Sequence, residues 1–472
     1  LTFQVSRCSA RESSTVVVAN GRTRVTEGRS STFPLSSQQR QFHDIPGYPI
    51  SCVLAIAGHF ARVPAPDLIH AAFRSLIARH DALRLVVTPT AHTQCFDHVV
   101  EPHVEVIEVG GDNAAMRRAF ASWYGSRPLT ILPHSGVSIF RRPDGSGYLV
   151  PWGHHTVVDG ASLTVLSNDL AVTCAELASG ARPPERRLPS YRDFVEWEAS
   201  YEKSEDCDRD LAFWTSRFPA PPGSSLPRRG EDGRRPATWD VVPPRTRIAA
   251  EAYDQFRSAA HSAHGSTFDA TLLIAATVVS ALSGARVAHI MINTLNRIPP
   301  FRRMLGMFAS KILVSVTLDP DETASQAIRT TQRSVIEMYQ HQRIALPTLV
   351  DRGNIDFFAP GGIPFDVLLT FFPDTAQQLE NTFDGVPCDD DFALRDPPAY
   401  SPLLITVFEP GYRSAANVDV GCRPDFFRAE DADTIGGAIK QLTAAFAADP
   451  SIRIGDLLDH ARIALAPALV TT

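Results

Sequence analysis

Gly147-Tyr148-Leu149-Val150-Pro151-Trp152-Gly153-His154-His155-Thr156-Val157-Val158-Asp159-Gly160-Ala161-Ser162-Leu163-Thr164-Val165-Leu166 reads as a strand, a tight turn and the opening of a helix that runs on to Gly180. It holds the only adjacent pair among fifteen histidines. Successive strand residues point to opposite faces, so His154 and His155 are not expected to reach the same site. One is placed to face a cavity as a general base, and the other to brace the core. Asp159-Gly160 suits the turn, because glycine tolerates close backbone approach and unusual dihedral angles. The same opposition of faces makes His154, His155 and Asp159 a poor set of metal ligands, so no metal is expected.

Working outward, 472 residues leave room for two or three domain-sized cores. A formal charge of −7 gives no overall basic field, so nucleic acid is not an expected partner. Lysine occurs only at Lys203, Lys311 and Lys440, so almost all positive charge is arginine. The seven cysteines (Cys8, Cys52, Cys95, Cys174, Cys207, Cys388, Cys422) are scattered, odd in number and without a CxxC pair. That spacing argues against a disulfide framework or a zinc site and fits a reducing, cytoplasmic setting. No secretory signal is evident. The most apolar stretch, 271–282, is too short and too interrupted by Thr and Ser to span a bilayer, so no membrane association is expected.

Residues 1–30 mix Ser, Arg, Thr and Gly and read as a flexible leader. Pro66-Asp67 then opens a helix whose apolar positions Leu68, Ile69, Ala72, Phe73, Leu76 and Ile77 form one stripe. Proline-rich segments at 180–184 and about 218–246 punctuate the middle, with an aromatic helical segment (Tyr191, Phe194, Trp197, Trp214) between them. The second half predicts a helix over 268–282 ended by Gly284, strands over 287–295, 365–372, 403–408 and 416–422, and a helix over 429–448. Helices and strands alternate in both halves, which predicts an α/β protein of two lobes.

The pattern His154-His155-three residues-Asp159-Gly160 resembles the active-site signature of condensation domains of the nonribosomal peptide synthetase type, within the CoA-dependent acyltransferase superfamily. Further segments resemble that family in its own order. They are Phe33-Pro34-Leu35-Ser36-Ser37-Gln38-Gln39-Arg40, Arg79-His80-Asp81-Ala82-Leu83-Arg84 and Tyr191-Arg192-Asp193-Phe194-Val195-Glu196-Trp197. Later come Asn296-Arg297 with Leu305-Gly306-Met307-Phe308, His341-Gln342 with Leu346-Pro347, Pro364-Phe365-Asp366-Val367, and Arg395-Asp396 through Ser401-Pro402-Leu403. The resemblance spans about residues 31–465. Ala309-Ser310 and Ser401 depart from the family's usual Val-Asn and Asn.

The resemblance implies two chloramphenicol-acetyltransferase-like lobes, 31–182 and 183–465, arranged as a V with a tunnel between them. His155 would be the catalytic base, with an imidazole whose ordinary pKa of ~6.5 suits proton transfer near neutrality. His154, Asp159, Gly160 and Arg297 would support the site: Asp159 by pairing with Arg297, and Gly160 by letting backbone N–H groups approach an oxyanion. Ser310 and Ser401 would line the tunnel. No bound cofactor is implied. The acyl donor would arrive on the phosphopantetheine of an acyl or peptidyl carrier protein, or as acyl-CoA, and meet a small-molecule amine or hydroxyl. No adenylation or carrier segment is recognisable, so a free-standing, monomeric condensation enzyme of natural-product biosynthesis is expected. An acyl-CoA-dependent O-acyltransferase and a non-catalytic, partner-recruiting condensation-like domain are the alternatives. The absence of a G-x-S-x-G elbow, a P-loop and a G-x-G-x-x-G fingerprint argues against hydrolase and nucleotide chemistry.

Overall fold

The computed structural model describes residues 17–19, 22–24, 32–44, 53–88, 92–97, 99–124, 134–181, 188–218, 226, 244–353, 366–372, 401–409, 415–424, 426–428 and 430–469. Most of the leader and of the 218–246 segment, together with Pro364-Phe365 and Arg395-Asp396, lie outside them.

The chain divides into two compact units. Among the described residues the first takes in those of 17–44, 53–201 and 297–307, and the second those of 202–296 and 308–469. The expected boundary at 182/183 is therefore displaced. The helix Tyr191–Tyr201 belongs to the first unit because Tyr191 is buried there and the Glu198 carboxylate accepts the Ser37 backbone N–H at 2.6 Å.

In the first unit, the strand Gly147–His154 is buried along its whole length. It pairs antiparallel with Val53–Ala55, Gly58–Phe60 and Ser135–Arg141, and Ser135–Arg141 continues in parallel to Val104–Glu108. Thr32–Pro34, Thr93–Phe96 and Leu85–Thr88 form a separate three-stranded sheet. The helix Pro66–Arg79 buries Ile69, Ala72, Phe73, Leu76 and Ile77, five of the six stripe positions read from the sequence. It packs on the helix Gly160–Ala178.

The second unit carries a six-stranded sheet in the order Arg245–Ile248, Ala416–Cys422, Leu403–Phe408, Val367–Phe372, Val287–Thr294, Ser310–Thr317. The three neighbouring strands Leu403–Phe408, Val367–Phe372 and Val287–Thr294 run parallel, and the remaining pairs are antiparallel. Beside this sheet lies the helix Thr267–Ser283, buried at nearly every position. A capping box from Ser266 and Asp269 opens it, and Gly284 in the left-handed conformation (φ 73°) closes it. Among the described residues no single helix is long and apolar enough to cross a membrane. Of the cysteines, Cys174, Cys207 and Cys422 are free thiols.

Candidate active site

The strand Gly147–His154 delivers the histidine pair to the start of a helix. It ends on His154, which pairs in register with Val53 and donates its backbone N–H to the His134 carbonyl at 2.7 Å. His154 is buried, and its Nδ1 accepts the Thr156 backbone N–H at 3.2 Å. Simple strand alternation does not govern the pair, because His155 already lies in the turn and not on the strand. His155 is half-buried, and its Nδ1 stands 3.1 Å from the Val158 carbonyl oxygen. A carbonyl can only accept, so Nδ1 carries the proton and the basic lone pair sits on Nε2. The turn thus sets the tautomer of the ring.

The turn owes its tightness to Gly153. A Cβ there would lie 2.5 Å from a Val158 methyl, closer than packed carbons approach. Gly160, the glycine singled out from the sequence, has no left-handed dihedral. It is the first residue of the helix Gly160–Ala178, where backbone N–H groups lack intrahelical acceptors.

Asp159 caps that helix. Its Oδ1 accepts from the Ser162 backbone N–H and from Arg297 Nη2, both at 2.7 Å. Both side chains of the ion pair are buried, with exposures of 5% for Arg297 and 1% for Asp159. Burial raises the Asp159 pKa, but the Arg297 charge and the hydrogen bonds from Ser162 and Arg297 outweigh it, and the carboxyl is held below its ordinary value. Arg297 also donates to the Ser162 hydroxyl at 2.7 Å and to the Met304 carbonyl at 2.6 Å. Asn296, just before it, adopts φ 45°, a left-handed conformation that asparagine tolerates better than most residues.

Ser162 is a site residue the motifs did not single out. Its hydroxyl donates to the Gly306 carbonyl at 2.7 Å and stands 3.0 Å from the Gly306 N–H. Its place three residues after a capping Asp was the available signal.

Other motif segments converge on the same loop. Gln39 Nε2 donates to the Thr156 carbonyl at 3.0 Å and bonds Gln94 at 2.9 Å. Tyr191 OH donates to the Met307 carbonyl at 2.8 Å and lies 3.0 Å from the Ser36 hydroxyl. Arg79 and His80 both reach Asp169 on the helix Gly160–Ala178, at 3.3 and 2.9 Å. Asp81 accepts from Ser190 Oγ at 2.5 Å and from the Tyr191 N–H at 3.2 Å. His154, His155, Asp159, Gly160 and Arg297 are therefore gathered in one unit.

Ser310 and Ser401 are not gathered with each other. Ser310 opens the strand Ser310–Thr317 opposite Thr294, whereas Ser401 precedes Leu403, which is in register with Val367. Because Met291 is aligned with Leu368, the two serines lie at opposite ends of the six-stranded sheet, about 20 Å apart along the strands. Both are buried, and neither Oγ has a hydrogen-bond partner among the described residues.

With this geometry in hand, residues 29–458 match the family described as Condensation domain. The chain belongs to the condensation-domain family. Phosphinothricin tripeptide synthetase PhsC of Streptomyces viridochromogenes is 26% identical over 326 residues, covering 66% of this chain and 30% of that protein. Tyrocidine synthase 3 of Brevibacillus parabrevis is 22% identical over 445 residues, 91% of this chain and 7% of the synthase. The condensation-domain chain thus spans a minor part of these much longer relatives. The starter condensation domain of rhizomide synthetase RzmA, solved with C8-CoA, shares the fold at a TM-score of 0.75 and 18% identity, covering 90% of this chain and 97% of that one. The condensation domain of the monacolin K polyketide synthase MokA gives a TM-score of 0.74 at 16% identity, with 90% and 99% covered. Among the described residues no cluster of His, Cys, Asp and Glu could hold a metal ion.

Proposed function

We propose that this condensation-domain protein transfers an acyl or aminoacyl group from a carrier-protein thioester to an amine or hydroxyl, forming an amide or ester. The observation that carries the reading is the His155 Nδ1 contact with the Val158 carbonyl, which leaves the basic lone pair on Nε2. His155 Nε2 takes the proton of the acceptor as its nitrogen or oxygen bonds to the thioester carbon. The carbon–sulfur bond breaks, and the protonated His155 returns that proton to the departing sulfur, which leaves as the pantetheine thiol while the neutral imidazole is restored. General-base assistance contributes about 10²–10⁴ in rate, so positioning must supply the rest. Asp159 and Arg297 act as positioning residues: their buried pair fixes the start of the helix and hence the turn holding His155. The backbone N–H of Gly160, at the helix start, is the donor offered to an oxyanion in this reading. Carrier-protein partnering is supported by the synthetases to which the chain is similar. A CoA-bound donor is the second reading, favoured by the fold shared with a starter domain solved with C8-CoA.

A donor-swap assay by intact mass distinguishes the two. One acyl group is offered as acyl-carrier protein and as acyl-CoA, with a mixed pool of amines and alcohols, to the wild type and to His155→Ala. Product from the carrier donor alone, lost in the variant, is expected. Product from CoA would establish the second reading, and equal product in variant and wild type would remove His155 from the chemistry.

A further inference from the structure

The Thr156 peptide, which directly follows His155, is held by side chains on both its N–H and its carbonyl. The N–H donates to His154 Nδ1 at 3.2 Å, and the carbonyl accepts from Gln39 Nε2 at 3.0 Å. Two residues further on, the Val158 carbonyl meets the His155 ring. The direction of the Thr156 carbonyl therefore fixes the backbone path between His155 and the oxygen that sets its tautomer.

Gln39 is itself tightly held. It is the third residue of the helix Ser37–Asp44 and forms a reciprocal cap with Ser36. The Ser36 N–H donates to Gln39 Oε1 at 2.9 Å, and the Gln39 N–H donates to Ser36 Oγ at 3.1 Å. Gln39 and Gln94 then bond amide to amide. Gln39 Nε2 donates to Gln94 Oε1 at 2.9 Å, and Gln94 Nε2 donates to Gln39 Oε1 at 2.8 Å. Gln94 Nε2 also donates to the Pro34 carbonyl at 3.0 Å. Both side chains are buried, with exposures of 0% for Gln39 and 1% for Gln94. The Thr156 and Pro34 carbonyls can only accept, so neither amide can turn over without leaving buried groups unpaired. The helix cap uses only the Oε1 and backbone N–H of Gln39. Its Nε2 is committed to Gln94 and to the histidine turn.

We propose that Gln39 is a positioning residue for His155, holding the turn through the Thr156 carbonyl in the form that leaves the basic lone pair on Nε2, with Gln94 locking the Gln39 amide in place. The inference rests on the reading of His155 as the general base, but its effect on the ring is observable without any substrate. Proton transfer needs the base within hydrogen-bond reach of the acceptor, so a small displacement of the ring slows the step.

The test uses the full chain with ¹⁵N-labelled histidine rings, the His155 signals being those lost in His155→Ala. In the wild type, His155 should carry its proton on Nδ1. In Gln39→Met, which keeps the side-chain length but has no N–H to donate, the His155 ring should pass to a mixture of tautomers, while the His460 ring on the distant helix Ile454–Leu469 stays unchanged. Should Gln39→Met fail to fold, Gln94→Met, which removes both bonds between the amides, must move the same His155 signals. An unchanged His155 ring in a folded variant would overturn the proposal. With the donor that the wild type uses, Gln39→Met should lower kcat about tenfold and leave KM within about twofold, the pattern of a contact that matters in the transition state. In the His155→Ala background it should add no further loss, and a second tenfold loss there would place the action of Gln39 elsewhere and overturn the proposal. Wild-type activity in His155→Ala would instead remove the general-base reading, and the ring spectrum would still decide the contact between Gln39 and the turn.

Discussion

At the scale of single residues, Asp159 is sensitive to the loss of its partner, because its charge sits in the protein interior. Removing one member of a buried ion pair leaves an uncompensated charge and costs about 3–5 kcal/mol, whereas replacing both by apolar groups costs much less. Arg297→Met is therefore expected to lower urea stability by that order, and Asp159→Leu/Arg297→Met to recover much of the loss. Additive losses in the double variant would contradict the pairing. The pH dependence has a definite sign. The folded pKa of Asp159 is depressed, so its contribution is complete above the ordinary carboxylate value of about 4 and is lost as pH falls below it.

His134 acts in a higher window. Its folded pKa lies near 4 rather than the ordinary 6.5. Between those values the unfolded chain binds a proton that the folded protein refuses, so stability falls as pH is lowered. The cost on reaching pH 4 is about 3 kcal/mol. His134→Phe should flatten that limb of the pH–stability curve, and an unchanged slope would count against the burial account.

At the scale of elements, the joint between the strand Gly147–His154 and the helix Gly160–Ala178 is set by packing as much as by hydrogen bonds. Gly153→Ala forces a methyl against Val158 and is expected to cost about 1–3 kcal/mol. Combining it with Val158→Ala should return most of that, and a double-mutant cycle without coupling would show that the clash is relieved elsewhere. The helix Tyr191–Tyr201 reaches the same region through one hydroxyl. Tyr191→Phe leaves the buried Met307 carbonyl without its donor and should cost about 1–3 kcal/mol in chemical denaturation while leaving helix content unchanged.

At the scale of the whole molecule, the notable event is the return of Arg297–Met307 to the first unit after a long excursion of the chain through the second. The histidine turn is consequently held by a segment almost 140 residues away in sequence. In Arg297→Met, amide exchange should accelerate together at 156–163 and 304–307, while the strands Val287–Thr294 and Leu403–Phe408 keep their protection. A uniform loss across both units would mean that the pair stabilises the fold globally rather than locally.

Elements whose signals are local were legible in the chain itself. The helix predicted over 268–282 is Thr267–Ser283, closed by Gly284 as its left-handed preference dictates. The strand predicted over 287–295 is Val287–Thr294, and the helix predicted over 429–448 is Asp431–Ala448. Hydrophobic spacing, caps and glycine stops act within a few residues, so sequence alone determined these elements, the α/β class and the family motifs. Tertiary structure decided what depends on contacts between distant segments. It moved the unit boundary past Tyr201, brought Gln39 to the Thr156 carbonyl, set Ser162 between Asp159, Arg297 and Gly306, and parted Ser310 from Ser401 across a sheet. It also fixed the His155 tautomer, since a carbonyl placed by the turn decides which ring nitrogen holds the proton.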